Sequence, residues 1–517
     1  MLQALKTLAF ATMISVGWVS HADAQIIGQV PSPTASIKQN SVSNIAAIGD
    51  TLWIGPGLNR NISNDSDWFY PEGATHITNG KGRVFSLALA PDTVWAGLGY
   101  DVQGPDGSVQ AGLGFQVSTD GGDTWRYIEN PRETKSDTAL VYGGKTYANL
   151  PVTTQEQAPP FDIAINGNTV ISAGWALGIV RSRDFGTHWE RLILPPQSAD
   201  SLVPEESYTF SGNGQNRYDP RYDQNLLGFA VMIDKKQRIW TGTAGGLNIS
   251  GNALSAPRDS IRWHHLQYDG SPDGLLSNWI ITIRQQPSTG DIWMTNWISG
   301  IKENEQYGIV RTADGGKTFD QYLEGKRIND IGFKGGMIWA AGDDGLFFSK
   351  NNGTNWFKVP QIKSANNFIK TSAKYYSVAA TDDKLWVGTS DGLASTADYG
   401  NTWQITRVNF PLSGHNQYQQ EAPKVKAYAY PNPFSPRRHG EVRIKYKVEN
   451  PGSVRIRLFD FGMNLIQTLD SGNYSAGTYE AVWDGTDAEG RQVANGPVFY
   501  QIDTPDNTIR GKILVID

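Results

Sequence analysis

Hydrolysis of a glycosidic bond takes two carboxylates across a cleft, one to give a proton and one to activate water or form a bond. This sequence offers Asp101, Asp106, Glu205, Glu303 and Glu305 in stretches of loop character, and no spacing singles out a pair among them. Recognition without chemistry takes aromatic rings and guanidinium groups mixed with amides and small residues. Two stretches have that mix. Between Pro195 and Asn225 stand Glu205, Glu206, Tyr208, Phe210, Arg217, Tyr218, Asp219, Arg221 and Tyr222, and a shorter cluster holds Trp297, Glu303, Glu305 and Tyr307. Together with Tyr100, the residues Tyr208, Arg217, Tyr218, Arg221, Tyr222, Trp297 and Tyr307 are the candidate ligand contacts. The competing role for the same side chains is to pin long loops to the scaffold beneath them.

No catalytic residue, cofactor or metal site is assigned. His264 and His265 are adjacent, and neighbours on a strand point to opposite faces. Phosphate loops, nucleophile elbows and zinc motifs are absent, and the lack of cysteine excludes thiolate chemistry, disulfides and a lipidated Cys. A net charge of -6 gives no global basic field for nucleic acid or anionic membrane. The N-terminus has the pattern of a signal peptide over residues 1–24. Lys6 precedes an apolar stretch from Thr7 to Val19, and Ala22-Asp23-Ala24 makes a small-x-small cleavage site before Gln25. Export is therefore expected, to the cell surface or beyond it, with the periplasm as the alternative.

The elements that position the candidate residues are repeats. With 56 Gly, 17 Trp, 21 Tyr and 19 Phe, the composition suits many short strands joined by tight turns. A strand with a central aromatic recurs as Leu52-Trp53-Ile54-Gly55, Val94-Trp95-Ala96-Gly97, Ile239-Trp240-Thr241-Gly242, Ile338-Trp339-Ala340-Ala341 and Leu385-Trp386-Val387-Gly388. Weaker copies are Val170-Ile171-Ser172-Ala173 and Ile292-Trp293-Met294. Each copy follows an apolar strand and a turn and precedes two further strands. Four-stranded units at roughly 40 to 75 residues have the period of propeller blades. An all-β fold is expected, a seven-bladed β-propeller over residues 44–410.

Between the third and fourth strands lies Ser/Thr-x-Asp-x-Gly-x-Thr-Trp/Phe. It reads Ser118-x-Asp120-x-Gly122-x-Thr124-Trp125, Ser182-x-Asp184-x-Gly186-x-His188-Trp189, Thr312-x-Asp314-x-Gly316-x-Thr318-Phe319, Ser349-x-Asn351-x-Gly353-x-Asn355-Trp356 and Thr396-x-Asp398-x-Gly400-x-Thr402-Trp403. These residues resemble the Asp-box, or bacterial neuraminidase repeat. The stretch Asp273 to Trp293 is similar to propeller repeats of two-component regulators. The resemblance implies a structural role: the carboxylate accepts turn N–H groups, the glycine takes positive φ and the aromatic packs beneath the hairpin. The first and fourth units carry no Asp-box. The Phe/Tyr-Arg-Ile-Pro signature that accompanies the first substrate arginine of sialidases is absent.

Past Phe410, Ser413 to Lys426 reads as a polar connector, and a linker is expected over residues 411–426. From residue 427 to 517 a small immunoglobulin-like β-sandwich is expected. Tyr430-Pro-Asn-Pro-Phe434, Leu458-Phe-Asp460-Phe-Gly462, Trp483-Asp-Gly485-x-Asp487 and Asn495-Gly-Pro-Val498-Phe-Tyr500 resemble the domain first named in flagellar hook-capping proteins. They equally resemble the C-terminal sorting domain of type IX secretion substrates, which implies contact with a secretion machine. The functional expectation is a non-catalytic exported propeller that binds a polysaccharide, a peptide or an envelope protein, and no nucleic acid. A glycan-active hydrolase or lyase is the alternative, and an extracytoplasmic sensor module is a third reading.

Overall fold

The computed structural model describes residues 37–62, 68–71, 73–78, 82–104, 107–210, 216–364, 367–408 and 425–517. The expected signal peptide, Asp106 and nearly all of the expected linker lie outside them. The described residues divide into two compact units, one holding the repeats up to Val408 and one holding the C-terminal strands. No helix among them is long and apolar enough to cross a membrane.

The first unit is a propeller of antiparallel meanders. Seven follow one another among the described residues, here called blades 1 to 7. Their innermost strands are Asn44–Ile48, Arg83–Ala90, Pro160–Asn166, Gly228–Ile233, Trp279–Gln285, Ile328–Lys334 and Tyr375–Ala380. Innermost strands touch in chain order, and that of blade 7 returns against that of blade 1. The ring is closed by Val42, whose N–H donates to the Thr389 carbonyl at 2.9 Å.

The recurring aromatic strand is the second strand of each blade. Trp53, Trp95, Trp240, Trp293, Trp339 and Trp386 are buried there, and each stands opposite Ala46, Ala88, Met232, Arg284, Gly332 or Ala379 of the innermost strand. Four of these partners are Ala or Gly, which leaves room for the indoles. Met232 and Arg284 are the departures, and Arg284 matters below.

The innermost strands of blades 2 to 7 each carry a β-bulge at one register, leaving Phe85, Phe161, Phe229, Ile281, Asn329 and Tyr376 unpaired. A bulge re-aims a side chain and bends its strand. In five of the blades the residue after the bulge, or its equivalent in blade 1, reaches the next blade. Asn44 donates to the Phe85 carbonyl, Ser86 to the Pro160 carbonyl and Thr282 to the Asn329 carbonyl. Asp162 accepts from Val231 N–H and Asp330 from Val378 N–H, each at 3.1 Å.

The Asp-box turns have the expected hydrogen bonds and a second job. Asp120 accepts from the Asp123 and Thr124 N–H groups, and Gly122 N–H donates to Ser118 Oγ. The boxes of Asp184, Asp314, Asn351 and Asp398 repeat the backbone bond to the residue four on. These bonds hold the Asp carboxyls below the usual range, Asp398 down to about 2, through the Thr402 side chain first. Each box glycine also abuts the second-strand Trp of the preceding blade: Gly122 on Trp53, Gly186 on Trp95, Gly353 on Trp293 and Gly400 on Trp339. The box aromatics Trp125, Trp189, Trp356 and Trp403 meet the same four indoles edge-on. Phe319 shares a buried cluster with Trp240. The box therefore staples one blade to the one before it.

Blade 4, which has no Asp-box, keeps part of that turn without the box glycine. Ser250 Oγ accepts from the Asn252 and Ala253 N–H groups and donates to Asn252 Oδ1. The segment from Ala253 to Arg262 separates this turn from the outer strand Trp263–Leu266. On that strand His264 is exposed and His265 buried, as alternation requires.

The second unit is a two-sheet sandwich. One sheet holds Ala427–Tyr430, Val442–Val448 and Gly477–Trp483, with the first of these at an edge beside Pro431 and Pro433. The other holds Leu465–Tyr474, Gly452–Phe459, Gly496–Asp503 and Thr508–Val515. Phe434, Tyr446, Trp483 and Tyr500 fill the space between them with aliphatic side chains. At the turn after Trp483, Asp487 accepts from the Glu489 and Arg491 N–H groups and pairs with Arg491.

Candidate binding face

Turns between first and second strands share one side of the ring with the Asp-boxes, as the bond from Gly121 N–H to the Asp92 carbonyl shows. Antiparallel order then places the other two sets of connections on the opposite side, the loop face. The two long loops there do not stand free. Strand Lys145–Asn149 from the loop before blade 3 pairs in parallel with Arg217–Tyr218 from the loop before blade 4. Ser201–Leu202 adds a fifth strand to blade 4. The two loops thus form one accessory module, whose Tyr142, Tyr147, Leu194, Leu202, Phe210 and Tyr218 share one buried core with Ile171, Val231 and Trp263 of blades 3 and 4.

That module decides the fate of most of the sequence-derived contacts. Tyr218 is 1% exposed; its hydroxyl accepts from Leu194 N–H at 3.2 Å, and the Arg191 guanidinium lies 4.7 Å from its ring centroid. Tyr208 is buried too, its hydroxyl accepting from Val203 N–H at 2.7 Å. Arg217 and Arg221 both grip the buried Asp219, and Arg221 lies over Tyr222. Tyr208 and Tyr218, expected as candidate ligand contacts, have their rings packed in that core. Tyr218→Phe should lower stability by about 1–2 kcal/mol, because the Leu194 N–H is left unpaired in the interior. Urea unfolding checks it, and an unchanged midpoint would count against the bond.

Trp297 is likewise interior, donating from its indole to the Ile328 carbonyl at 2.7 Å beneath Arg327, whose guanidinium is 3.8 Å from the ring centroid. It does, however, join Tyr307 in a cluster that the sequence did not reveal. Phe229, Trp279 and Trp297 are its buried base, and Phe161, Trp175, Leu227, Ile281 and Tyr307 pack against them half-buried. Phe85 continues the arc, stacked on Phe161 at 6.4 Å. The sign in the sequence is an aromatic or aliphatic residue at the position that bulges, present in five of the six bulged innermost strands. Tyr100 lies apart on the long hairpin of blade 2, beside the ion pair of Arg83 and Asp101.

Next to this arc is a charged group of three. Asp162 follows Phe161, and Asp330 follows the bulge of blade 6. Arg284 of blade 5 pairs with Asp330 at 3.1 Å and acts electrostatically on Asp162 as well. Burial pushes the Asp162 carboxyl up to about 6, against the pull of Arg284. Asp330 is raised too, by burial first. Arg284 keeps 40% of its side-chain surface exposed, so solvent reaches it. Of the carboxylates weighed from sequence, Glu305 is buried and bound by Ser299 and the Gly300 N–H, while Glu205 pairs with Arg262. Among the described residues, no group of three or more His, Asp or Glu is disposed to hold a metal ion.

Residues 437–504 match the family model of the FlgD Ig-like domain, so the sandwich is immunoglobulin-like. No curated protein matches the chain in sequence. Among solved structures it is similar to PorZ, a bacterial surface component of the type-IX secretion system of Porphyromonas gingivalis. The identity is 15% and the TM-score 0.42, over 92% of this chain and 66% of that one, just under two thirds of its length. It is similar also to the GH74 enzyme of Niastella koreensis, at 13% identity and TM-score 0.49 over 95% of this chain and 74% of that one. A third likeness, to the extracellular domain of a one component system from B. thetaiotaomicron, has 12% identity and TM-score 0.26 over 94% and 75%.

Proposed function

We propose that this chain is an exported binding propeller, whose loop face recognises a polysaccharide, a peptide or a partner protein at the cell envelope or outside the cell. The observation that carries the reading is the half-buried apolar arc of Phe161, Trp175, Leu227, Ile281 and Tyr307 on a buried aromatic base. Exposed apolar patches rimmed by polar groups mark recognition sites, and these five side chains keep part of their surface exposed. The apparent signal peptide supports export, and the immunoglobulin-like sandwich supports a separate C-terminal module whose sorting role is part of the proposal.

The test is binding by the mature chain, Gln25 to Asp517, to glycan and peptide arrays. Trp175→Ala should weaken the strongest interaction about ten-fold, since a ring at a recognition site contributes on the order of 1–2 kcal/mol. Unchanged affinity in that variant would move the site off this face.

A glycan-active enzyme is the second reading, favoured by Asp162 and Asp330 acting on one guanidinium. Both carboxylates also accept N–H bonds from the next blade, which is clamp duty. Release of reducing ends from an array-positive glycan, abolished by Asp162→Asn, would install the enzymatic reading in its place.

A further inference from the structure

The reading above leaves open which ligand class the loop face takes, and the ring geometry bears on that choice. A sugar stacks on an open aromatic face. Here Phe85, Phe161 and Phe229 are packed against neighbouring rings. Phe85 and Phe161 lie nearly parallel, 9° between planes. Phe229 is wedged among Phe161, Trp175 and Trp279 at centroid distances of 6.3, 5.4 and 5.4 Å. Beside them Trp175, Tyr307, Leu227 and Ile281 are half-buried, a lining suited to an aliphatic or aromatic side chain.

Beside that lining the charge balance is uneven. Two carboxylates, Asp162 and Asp330, share one guanidinium, Arg284, and the nearer bond of Arg284 goes to Asp330. Asp162 is reached by two N–H groups, those of Ile163 and Val231, and by the Arg284 charge at longer range. Its neighbour in sequence is Phe161, a member of the arc. With both carboxyls ionised the three carry one net negative charge, and Asp162 shares the innermost strand Pro160–Asn166 with Phe161.

We infer that the loop face takes a peptide segment of a partner protein, with an apolar side chain on the Phe161–Ile281 arc and an adjacent Lys or Arg directed at Asp162. This inference rests on the binding-propeller reading and narrows it to one ligand class. Apolar contact supplies the anchor and the carboxylate the choice of neighbour, a division of labour common at protein interfaces.

The probe is a set of synthetic peptides of about eight residues, carrying a Phe-Lys or Leu-Arg pair in a Ser-Gly frame, titrated by fluorescence polarisation against the mature chain. Binding should weaken about ten-fold when the basic residue becomes Glu, and by a similar factor when the apolar one becomes Ser. It should also fall with added salt. Because these changes are made in the ligand, misfolding of a variant cannot produce them. Phe161→Ala should weaken the parent peptide about ten-fold, and Asp162→Asn should erase the preference for Lys over Gln. Three results would overturn the inference. Indifference of affinity to the basic residue removes the role of Asp162. Glycan binding lost in Phe161→Ala, with no peptide bound, leaves the face as the site and refutes the peptide class. Peptide binding unaffected by Phe161→Ala and Trp175→Ala refutes both this inference and the reading beneath it.

Discussion

In urea titrations, Gly122→Ala should lower the unfolding free energy by about 2–5 kcal/mol, and Gly121→Ala, one residue earlier, by only about 1–2 kcal/mol. Both glycines have positive φ, 100° at Gly122 and 72° at Gly121, so both substitutions meet the strain of an L-residue in that region. They differ in what a β-carbon would touch. At Gly121 nothing lies within 4 Å, whereas at Gly122 the new carbon would be 2.6 Å from Trp53 of the preceding blade. Trp53 is itself locked edge-on against Trp125, so it has nowhere to retreat. The excess loss in Gly122→Ala is the cost of overpacking a blade junction, typically about 1–3 kcal/mol. Equal losses in the two variants would mean that the box shapes its own turn and does nothing between blades.

Arg284→Met should destabilise the propeller at neutral pH and much less in acid. Removing one partner of a buried ion pair typically costs about 3–5 kcal/mol, and the partial exposure of Arg284 reduces the expectation to about 1–3 kcal/mol. The sign with pH follows from which state holds the proton more tightly. The folded pKa of Asp162, about 6, lies above its unfolded value, so the folded state binds the extra proton. Its contribution is most favourable below about pH 4 and declines as pH rises through 6. Without Arg284 both carboxyls rise further, and the decline extends to higher pH. The gap between variant and wild type should therefore be widest near pH 8 and nearly closed near pH 5. The Asp-box carboxyls have the opposite sense, losing their contribution only as pH falls below 4, and they do so equally in both proteins. A gap independent of pH would show that Arg284 acts through packing alone.

The accessory module shows where reading a sequence stops being enough. Tyr208, Arg217, Tyr218, Arg221 and Tyr222 have a composition shared by ligand loops and by small cores. What separates the two is whether another segment covers them. Here Lys145–Asn149, some seventy residues earlier, pairs with Arg217–Tyr218 in parallel, and no periodicity within either loop encodes that meeting. The turn of blade 4 departs from the motif for a related reason. Its hydrogen bonds are local, but the inserted segment from Ala253 to Arg262 moved Trp263 out of the expected spacing.

The sequence alone determined what depends on near neighbours: the meander repeat, the aromatic second strand, the Asp-box turn chemistry and the sandwich with its edge strand before Pro431. Each follows from alternation, turn residues and hydrogen bonds spanning a few positions, which a linear reading captures. Tertiary structure decided everything that needed separate blades to meet. Phe161, Trp175, Phe229 and Ile281 are ordinary apolar residues in the sequence, and only ring closure gathers them from three blades into one arc. Arg284 occupies a position that is small in most of the other blades, but its partners, Asp162 and Asp330, lie on two other innermost strands. Burial, and with it the state of those carboxyls, is a property of the closed ring and of no single repeat.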